Sequence, residues 1–457
     1  MVTGRRNCTE FLDQCNNLRL HRLNIVFKTL TKLDCFHSNI PLYIKNGAVI
    51  MNQLQDNLRF LCDQTRMLTG ISVAYGNAAE YETLLYGRAQ EIDMTADGAF
   101  LPCERPLLPD ALYDLASLTK LFTCVLAMQL VEHGLLSFEE TIGSIDSRFT
   151  RLKNVSVLDT MSFQASLQTA GRIDDAPDRE EGLKRLFMTT AVTPPRIRLY
   201  SDINAMVMKY VIEQKTNMSF SEALNRYIFS PLGMMDTYAE IPDQIRERCV
   251  CYNYEHRIDK NAYRFRSSPA PGQPHDPKAL LLSSDGKDLC GHAGLFSTSA
   301  DMIRFAQALL SGELLSPSSL SAIGTNYTGI DYGDGTHRQY LGLLCFIKHP
   351  NQTLSEVPAW MAPGSFGLSG FTGNHLSIDP QRQHFVLFLG NRCHDRVSNI
   401  QPPPDHAITD FGLSPDGTGR VAWPNGRFIS SSTRYVYFKD ELLNNPIHRR
   451  MHRLGWA

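Results

Sequence analysis

The sequence predicts an α/β fold of the α+β type, in which an antiparallel sheet from both ends of the chain is flanked by helices. Strand-like apolar runs occur at 70–87 and again at 340–391. Between them, 117–136 is apolar on almost every side, and mainly helical signals continue to about residue 285. Strands at both ends can pair in one sheet, so we expect a mainly helical region at about 121–285 to be inserted between them.

Size and charge limit the classes of function. The chain has 457 residues, of which 43% are hydrophobic and 20% charged, as in globular proteins with a substantial core. Its formal net charge of -2 provides no positive field of the kind that nucleic acids or anionic membranes require. We therefore expect a small-molecule, peptide or ester substrate and no nucleic-acid partner. The sequence makes no prediction about oligomeric state.

Cysteine usage and hydropathy indicate a cytoplasmic protein. The 11 cysteines are scattered without a C-x-x-C pair, and the closest two, Cys249 and Cys251, are spaced unlike zinc ligands. We expect reduced thiols and no metal. No apolar export signal follows the N-terminus. The longest apolar stretch, 121–131, is well short of the ~20 residues needed to cross a bilayer, so no membrane span is expected.

The chain divides into three parts. Residues 1–47 have helical spacing and are predicted to form an N-terminal extension. Residues 48–400 carry the strands and the central helix, and are predicted to form the main domain. A proline-rich turn begins at residue 401, so 401–457 are expected to be a linker and tail, with the basic cluster at 448–453 solvated.

The elements of the main domain follow from local patterns. A buried strand is expected at 70–76 and a second at 83–87, before the central helix of 117–136. Farther on, one strand is predicted in each of three runs, 340–347, 367–378 and 384–391. The turn at 379–383 is predicted to join the last two as a hairpin.

The strongest chemical signal is the pair Ser117 and Lys120 at the start of the central helix. Residues three apart share one helix face, so the amine can reach the hydroxyl. Burial disfavours the charged amine, which predicts a lowered lysine pKa and an activated serine nucleophile. The helix N-terminus also offers the Ser117 N–H to a developing negative charge. By itself, the S-x-x-K motif is weak evidence for a catalytic site. A serine and a lysine that both face solvent are the commoner explanation of such a match.

The surrounding sequence resembles the serine β-lactamase and penicillin-binding-protein superfamily, in particular its class C and esterase or peptidoglycan-amidase branch. The resemblance rests on 116–120, the turn at 134–137 and the segment 291–298, and it covers roughly residues 48–400. It implies a β-lactamase-like fold and hydrolysis through an acyl-enzyme on Ser117. Within 291–298, His292 is more readily explained as a residue that fixes the loop than as a catalyst.

The resemblance also implies a second motif at Tyr200-Ser-Asp202. There Tyr200 would carry protons, and Asp202 stands where the family pattern has asparagine and would contact substrate. A phenol near a cationic lysine suits general acid–base work. The alternative is that Tyr200 is simply a half-buried aromatic at a helix start.

The third motif corresponds to 367–373, where the family pattern places a lysine or histidine and this chain has Leu368. The resemblance implies that Ser369 and Gly370 line the substrate and that the Phe371 N–H joins that of Ser117 in an oxyanion hole. The missing cation argues against penicillinase activity.

Two residues farther on could restore the lost charge. If the hairpin pairs residues whose numbers sum to about 762, His394 lies across from Leu368. We therefore hypothesise that Arg392 and His394 supply the cation and contact substrate. Alternatively, both are solvated at a strand end.

Together these features predict a serine hydrolase that needs no cofactor and acts on an ester, amide or β-lactam-type carbonyl. An esterase or peptidoglycan-fragment amidase is favoured over a penicillinase. The alternative from another class is a non-catalytic binding or regulatory protein that kept the fold, and Leu368 is the observation in its favour.

Overall fold

A computed structural model of the protein describes residues 46–193, 199–283, 289–350, 356–404 and 419–456. The described residues from Ile50 onward form one compact unit. The predicted helical extension at 1–47 lies almost wholly outside the described residues. The predicted fold class is confirmed, because the unit has a large antiparallel sheet with helices on its faces.

The central sheet has seven strands, and each is antiparallel to its neighbours. They are β1 Gly70–Asn77, β2 Tyr81–Met94, β3 Phe100–Pro106, β12 Phe346–Ile347, β13 Phe366–Ser369, β14 His375–Asp379 and β15 His384–Gly390. The order across the sheet is β12-β13-β14-β15-β1-β2-β3, so strands from both ends of the chain pair as predicted.

The remaining strands form small two- and three-stranded sheets around this core. They are β4 Tyr113–Asp114, β5 Leu167–Gln168, β6 Thr190–Ala191, β7 Glu255–Asp259, β8 Ala262–Arg266, β9 Phe296–Ser297, β10 Ile330–Asp331, β11 His337–Arg338, β16 Val397–Gln401, β17 Arg420–Ala422 and β18 Phe428–Ser430.

Most of the described helices lie between β3 and β12 in the chain, as the inserted region predicts. The helices are α1 Asn46–Arg59, α2 Thr119–Glu132, α3 Ile142–Ile145, α4 Val157–Met161, α5 Arg179–Phe187, α6 Asp202–Thr216, α7 Phe220–Leu224, α8 Ser230–Leu232, α9 Pro277–Leu282, α10 Ser299–Ser311, α11 Pro317–Ile323, α12 Tyr435–Lys439 and α13 Asn445–Leu454. Within the described ranges, no helix has the length and apolar character that crossing a bilayer requires.

The sheet separates two apolar cores, because alternate residues of a strand face opposite sides. On one face, Ala74 of β1 packs in the large core that contains α2, α6 and α10. On the other, Val73 and Tyr75 pack against α1, α12 and α13. The helix α2 is buried on every side from Thr119 to Leu130, which agrees with its apolar sequence.

The predicted strand at 367–378 is instead two strands that form a hairpin of their own. β13 pairs with β14, so Leu368 lies opposite Leu376. The chain reverses near Gly373, whose φ of +114° favours glycine. The next hairpin, β14 with β15, has the expected turn and pairs residues whose numbers sum to 763, as His375 and Phe388 do.

The C-terminal segment does not trail into solvent as expected. Leu443, Ile447 and Met451 are buried against the sheet and α1. Within the basic cluster, Arg450 donates through Nε to Glu82 Oε2 at 2.9 Å.

Arg449, His452 and Arg453 of the cluster are exposed as expected, whereas Met451 on the same helix is buried. The expectation of a free tail failed because Ile447 and Met451 form an apolar face of α13.

Candidate active site

Ser117 lies in a tightly held turn that leads into α2. It belongs to a 3-10 helix, Ala116–Leu118, and the residue before it has φ +47°, in the left-handed region. The buried carboxylate of Asp114 accepts the Ala116 N–H at 2.9 Å. These contacts fix the backbone that presents the serine hydroxyl.

Lys120 is one helical turn farther on and reaches back to the serine. Its Nζ lies 2.8 Å from Ser117 Oγ, 2.8 Å from Asp202 Oδ1 and 3.2 Å from the His292 carbonyl oxygen. The side chain is fully buried, and its three N–H donors match these three acceptors. The structure thus brings Ser117, Lys120 and Asp202 together.

The pKa of Lys120 departs from the sequence-based expectation. Burial lowers it, but the Asp202 carboxylate and the Tyr200 phenol more than offset burial, so the lysine pKa is raised above its usual value. The predicted neutral amine is therefore wrong, and Lys120 is an ammonium near neutral pH. Desolvation alone would lower the Lys120 pKa. The carboxylate that reverses the direction belongs to Asp202, 82 positions away in the chain.

Tyr200 lies directly beside this pair. Lys120 Nζ lies 5.2 Å from the centre of its ring, and burial raises the Tyr200 pKa although Lys120 opposes the shift. The Tyr200 ring stacks on Phe346 at 4.9 Å between centroids. The Gln339 side-chain oxygen accepts the Tyr200 N–H at 3.1 Å, so ring and backbone are both held in place.

Asp202 connects Lys120 to a second layer of charges that sequence reasoning missed. Lys278 Nζ lies 3.1 Å from both Asp202 Oδ2 and Asp276 Oδ2. His292 Nε2 contacts Asp276 Oδ1 at 3.0 Å. Because Lys120 and Lys278 flank it, the pKa of Asp202 falls well below its usual range despite burial. His292 thus fixes the loop, as the sequence analysis favoured.

Two clusters of described residues have the side-chain types that bind metals. In each cluster, one possible ligand atom per residue lies within 4.8 Å of the others. The first cluster is Asp202, Asp276 and His292, and the second is Glu255, His275 and Cys393. The first cluster already surrounds the Lys278 ammonium. In the second, Arg257 contacts Glu255 at 2.9 Å. Protein cations therefore already neutralise both groups of carboxylates.

The end of β13 packs directly against the nucleophile turn. A Cβ on Gly370 would lie 2.8 Å from the Leu115 carbonyl oxygen, closer than real Cβ atoms approach. The Asn374 side chain donates to the Asp114 carbonyl oxygen at 2.7 Å. Ser369 and Phe371, the neighbours of Gly370, therefore lie at the same edge as Ser117.

Arg392 lies beside Phe371, whereas the strand partner of Leu368 is Leu376. The Arg392 guanidinium carbon is 4.8 Å from the centre of the Phe371 ring, and the Arg392 backbone N–H donates to the Thr372 carbonyl oxygen at 2.9 Å. The Phe371 ring also stacks with His275, at 5.5 Å between ring centroids. A contact between Arg392 and substrate stays a prediction.

His394 cannot supply the cation that was hypothesised for it. It is fully buried, and Nε2 accepts N–H bonds from Glu91 and Ile92 at 3.0 and 3.2 Å. A nitrogen that accepts carries no proton, and burial lowers the His394 pKa to about 4. His394 does not lie across from Leu368 as predicted, because the chain reverses near Gly373. As a result, β14 lies between the strand of Leu368, β13, and the strand that leads to His394, β15.

A cation does reach β13, from a residue that no motif indicated. Lys439 Nζ lies 3.0 Å from Ser369 Oγ, and the lysine is only 4% exposed. It belongs to α12, 70 positions after Ser369 and within the predicted tail. Its sequence context offers no signal, because the contact depends on α12 docking against the sheet.

Comparison with known proteins gives consistent matches. Residues 82–407 match the family model described as Beta-lactamase. A Salmonella gallinarum protein described as "Putative D-alanyl-D-alanine carboxypeptidase" is 27% identical over 336 residues, which cover 68% of this chain and 75% of the relative.

Two solved structures illustrate the fold. The LovD6 mutant of simvastatin synthase from Aspergillus terreus is 17% identical, with a TM-score of 0.56 over 80% of this chain and 95% of that one. EstCE1, a hydrolase with promiscuous acyltransferase activity, is 16% identical, with a TM-score of 0.57 over 76% and 94%. At these identities the likeness shows a common fold.

Proposed function

This chain belongs to the beta-lactamase family, and we propose that it is a serine hydrolase that forms an acyl-enzyme on Ser117. One observation carries the proposal: the Ser117 hydroxyl lies 2.8 Å from a buried ammonium, Lys120 Nζ, which is itself 5.2 Å from the centre of the Tyr200 ring. A nucleophile, a positive charge and a proton carrier thus lie together in one site.

In the proposed acylation, Ser117 Oγ attacks the substrate carbonyl carbon while its proton passes to the Tyr200 oxygen. The Tyr200 proton passes in turn to the departing oxygen or nitrogen, and the bond to that atom breaks. Lys120 stays protonated and stabilises the negative charge that develops on Oγ and on the phenol oxygen. This assignment replaces the neutral-lysine base, since Asp202 holds Lys120 charged.

The N–H groups of Ser117 and Phe371 are proposed to bind the oxyanion of the tetrahedral intermediate. The packing of Gly370 against Leu115 supports this, because it keeps the two backbone segments side by side. In deacylation a water attacks the acyl carbon and gives a proton to Tyr200. Tyr200 returns a proton to Ser117 Oγ as the bond between Oγ and the acyl carbon breaks and the carboxylic acid leaves. No cofactor takes part in this scheme.

We propose an ester or a peptide-like amide as the substrate, ahead of a β-lactam. Leu368 is buried among apolar residues and presents no charge to a ligand. The carboxypeptidase and hydrolase descriptions of the relatives agree with either carbonyl class. A non-catalytic role remains the competing proposal, and it has only Leu368 in its favour.

The deciding experiment is covalent labelling. The protein is incubated with a fluorophosphonate, which reacts with activated serines, and the adduct is located by mass spectrometry. We expect one adduct on Ser117 that is lost in Ser117→Ala and kept in Ser321→Ala, which removes an exposed serine of α11. An unlabelled wild-type protein with an intact fold would favour the non-catalytic role.

A further inference from the structure

The charges behind Lys120 form a closed ring of contacts. Lys120 Nζ lies 2.8 Å from Asp202 Oδ1, and the other oxygen of that carboxylate lies 3.1 Å from Lys278 Nζ. Lys278 Nζ lies 3.1 Å from Asp276 Oδ2, and His292 Nε2 donates to Asp276 Oδ1 at 3.0 Å. The His292 carbonyl oxygen accepts from Lys120 at 3.2 Å, so the ring ends at the residue where it began.

Lys278 enters this ring from a capped helix end. Asp276 is the N-cap of α9, and its Oδ1 accepts the backbone N–H groups of Lys278 and Ala279, each at 2.9 Å. The Lys278 side chain, whose exposed fraction is 19%, contacts the carboxylates of Asp276 and Asp202. The cap thus fixes the backbone, and the two ion pairs fix the ammonium.

The two oxygens of Asp202 are therefore bound to two different lysines. A carboxylate with a single partner can turn about its bond to the chain and offer either oxygen. Because Lys278 holds Oδ2, Oδ1 stays directed at Lys120. Burial opposes the ionisation of Asp202, but Lys120 and Lys278 keep its pKa well below the usual range, so the carboxylate keeps its charge.

The direction of the Asp202 oxygen decides where the Lys120 protons point. An ammonium has three N–H donors at fixed angles to one another. Two of them face Asp202 Oδ1 and the His292 carbonyl oxygen, so the third is directed at Ser117 Oγ, 2.8 Å away. If Asp202 turned, Lys120 would turn with it and this N–H would leave the serine oxygen.

We propose that Lys278 is a positioning residue of the active site. It fixes the Asp202 carboxylate, and through that carboxylate it directs the Lys120 ammonium at Ser117 Oγ. Its own ion-pair partners among the described residues are Asp202 and Asp276. This inference rests on the proposed serine hydrolase function. It extends the machinery of the site to α9, which none of the sequence motifs includes.

The test compares the steady-state kinetics of the wild-type protein and Lys278→Met on 4-nitrophenyl acetate, a neutral ester. We expect kcat to fall by about 10- to 100-fold, since a displacement of about 1 Å in a catalytic group can have a cost of that size. KM should change little, because Lys278 acts through Asp202 and not on the ester. Lys278→Arg, which restores a cation that can bind both carboxylates, should recover part of kcat.

Lys215→Met is the matched control. Lys215 belongs to α6, the helix that begins at Asp202, and pairs with Glu140. Its exposed fraction of 21% is close to the 19% of Lys278. Lys215→Met should leave kcat unchanged. If both variants lower the melting temperature and neither changes kcat, Lys278 only holds α9 in place and the inference is overturned.

A measurement without substrate separates this inference from the proposed function. Burial and hydrogen bonds protect the ammonium protons of Lys120 from water, so their exchange can be followed by ¹H–¹⁵N NMR, with the signal identified by its loss in Lys120→Met. These protons should exchange faster in Lys278→Met than in the wild-type protein, and at the wild-type rate in Lys215→Met.

Faster exchange in a protein that neither hydrolyses the ester nor reacts with a fluorophosphonate would support the positioning role and contradict the hydrolase proposal. An unchanged exchange rate in Lys278→Met would overturn the positioning role, whatever the protein hydrolyses.

Discussion

At the scale of single residues, the charge on Lys120 is the property that decides the chemistry. Its ammonium lies 2.8 Å from both Ser117 Oγ and Asp202 Oδ1. A general-base lysine would need to lose its proton, whereas a lysine paired with a carboxylate keeps it. The two roles therefore predict opposite pH profiles.

We expect kcat/KM for a neutral ester to be level across neutral pH and to fall only in the alkaline range, as Lys120 loses its proton. The sign follows from the raised lysine pKa, since the active charged form is present below that pKa and lost above it. Asp202→Asn removes the carboxylate that offsets the effect of burial, so the Lys120 pKa should drop. The alkaline fall in kcat/KM should then begin at a lower pH.

The measurement is the pH dependence of kcat/KM in the two proteins. Asp276→Asn serves as a control, because Asp276 contacts Lys278 and His292 and no contact joins it to Lys120. A rate that rises steadily from pH 7 to 10 in the wild-type protein would instead support a neutral lysine acting as base.

At the scale of elements, the site depends on β13 lying against the turn before α2. Asn374 links the two: its side chain donates to the Asp114 carbonyl oxygen at 2.7 Å, and its own backbone carbonyl oxygen accepts the Gly370 N–H at 2.8 Å. Gly370 allows this approach only because it has no side chain.

Gly370→Ala should therefore slow acylation more than it destabilises the fold. The added Cβ would lie 2.8 Å from the Leu115 carbonyl oxygen, so β13 must move away and carry Phe371 with it. Loss of one oxyanion donor lowers kcat by roughly 10²- to 10³-fold. Rates of fluorophosphonate labelling test this, with Gly171→Ala, where contacts are 3.7 Å or longer, as control. Equal labelling rates in the two variants would contradict the packing argument.

The same scale shows where sequence patterns were insufficient. The run 367–378 looks like one strand, yet it is two, β13 and β14, because a reversal near Gly373 lies inside the alternating pattern. Within the predicted strand at 340–347, only Phe346–Ile347 pairs with the sheet. Periodicity detects extended chain but not every turn within it.

At the scale of the whole molecule, the C-terminal helices complete the second core. Tyr435, Leu443 and Met451 pack with Leu54 of α1 and Val73 of β1. The two ends of the described chain are therefore held by one apolar cluster, and the position of Lys439 depends on that cluster.

Met451→Ala should lower the free energy of unfolding by ~2–5 kcal/mol, because it leaves a cavity beneath a fully buried side chain. Val436→Ala, at a position that is 44% exposed, should change it by less than ~1 kcal/mol. Urea unfolding followed by circular dichroism measures both. Similar small losses in the two variants would mean that α13 does not contribute to the cooperative core.

The sequence by itself determined the fold class, the strands at both ends of the main domain, the buried helix α2 and the pairing of Ser117 with Lys120 at its start. The helix, the strands and the Ser117–Lys120 pair each follow from residues close together in the chain, whose spacing fixes which side they share. Only the tertiary structure decided that Asp202 holds Lys120 charged, that His394 is a neutral buried residue and that Lys439 reaches Ser369. Those properties depend on distances between residues far apart in the chain, and the pKa of a buried group follows from the charges that the fold places around it.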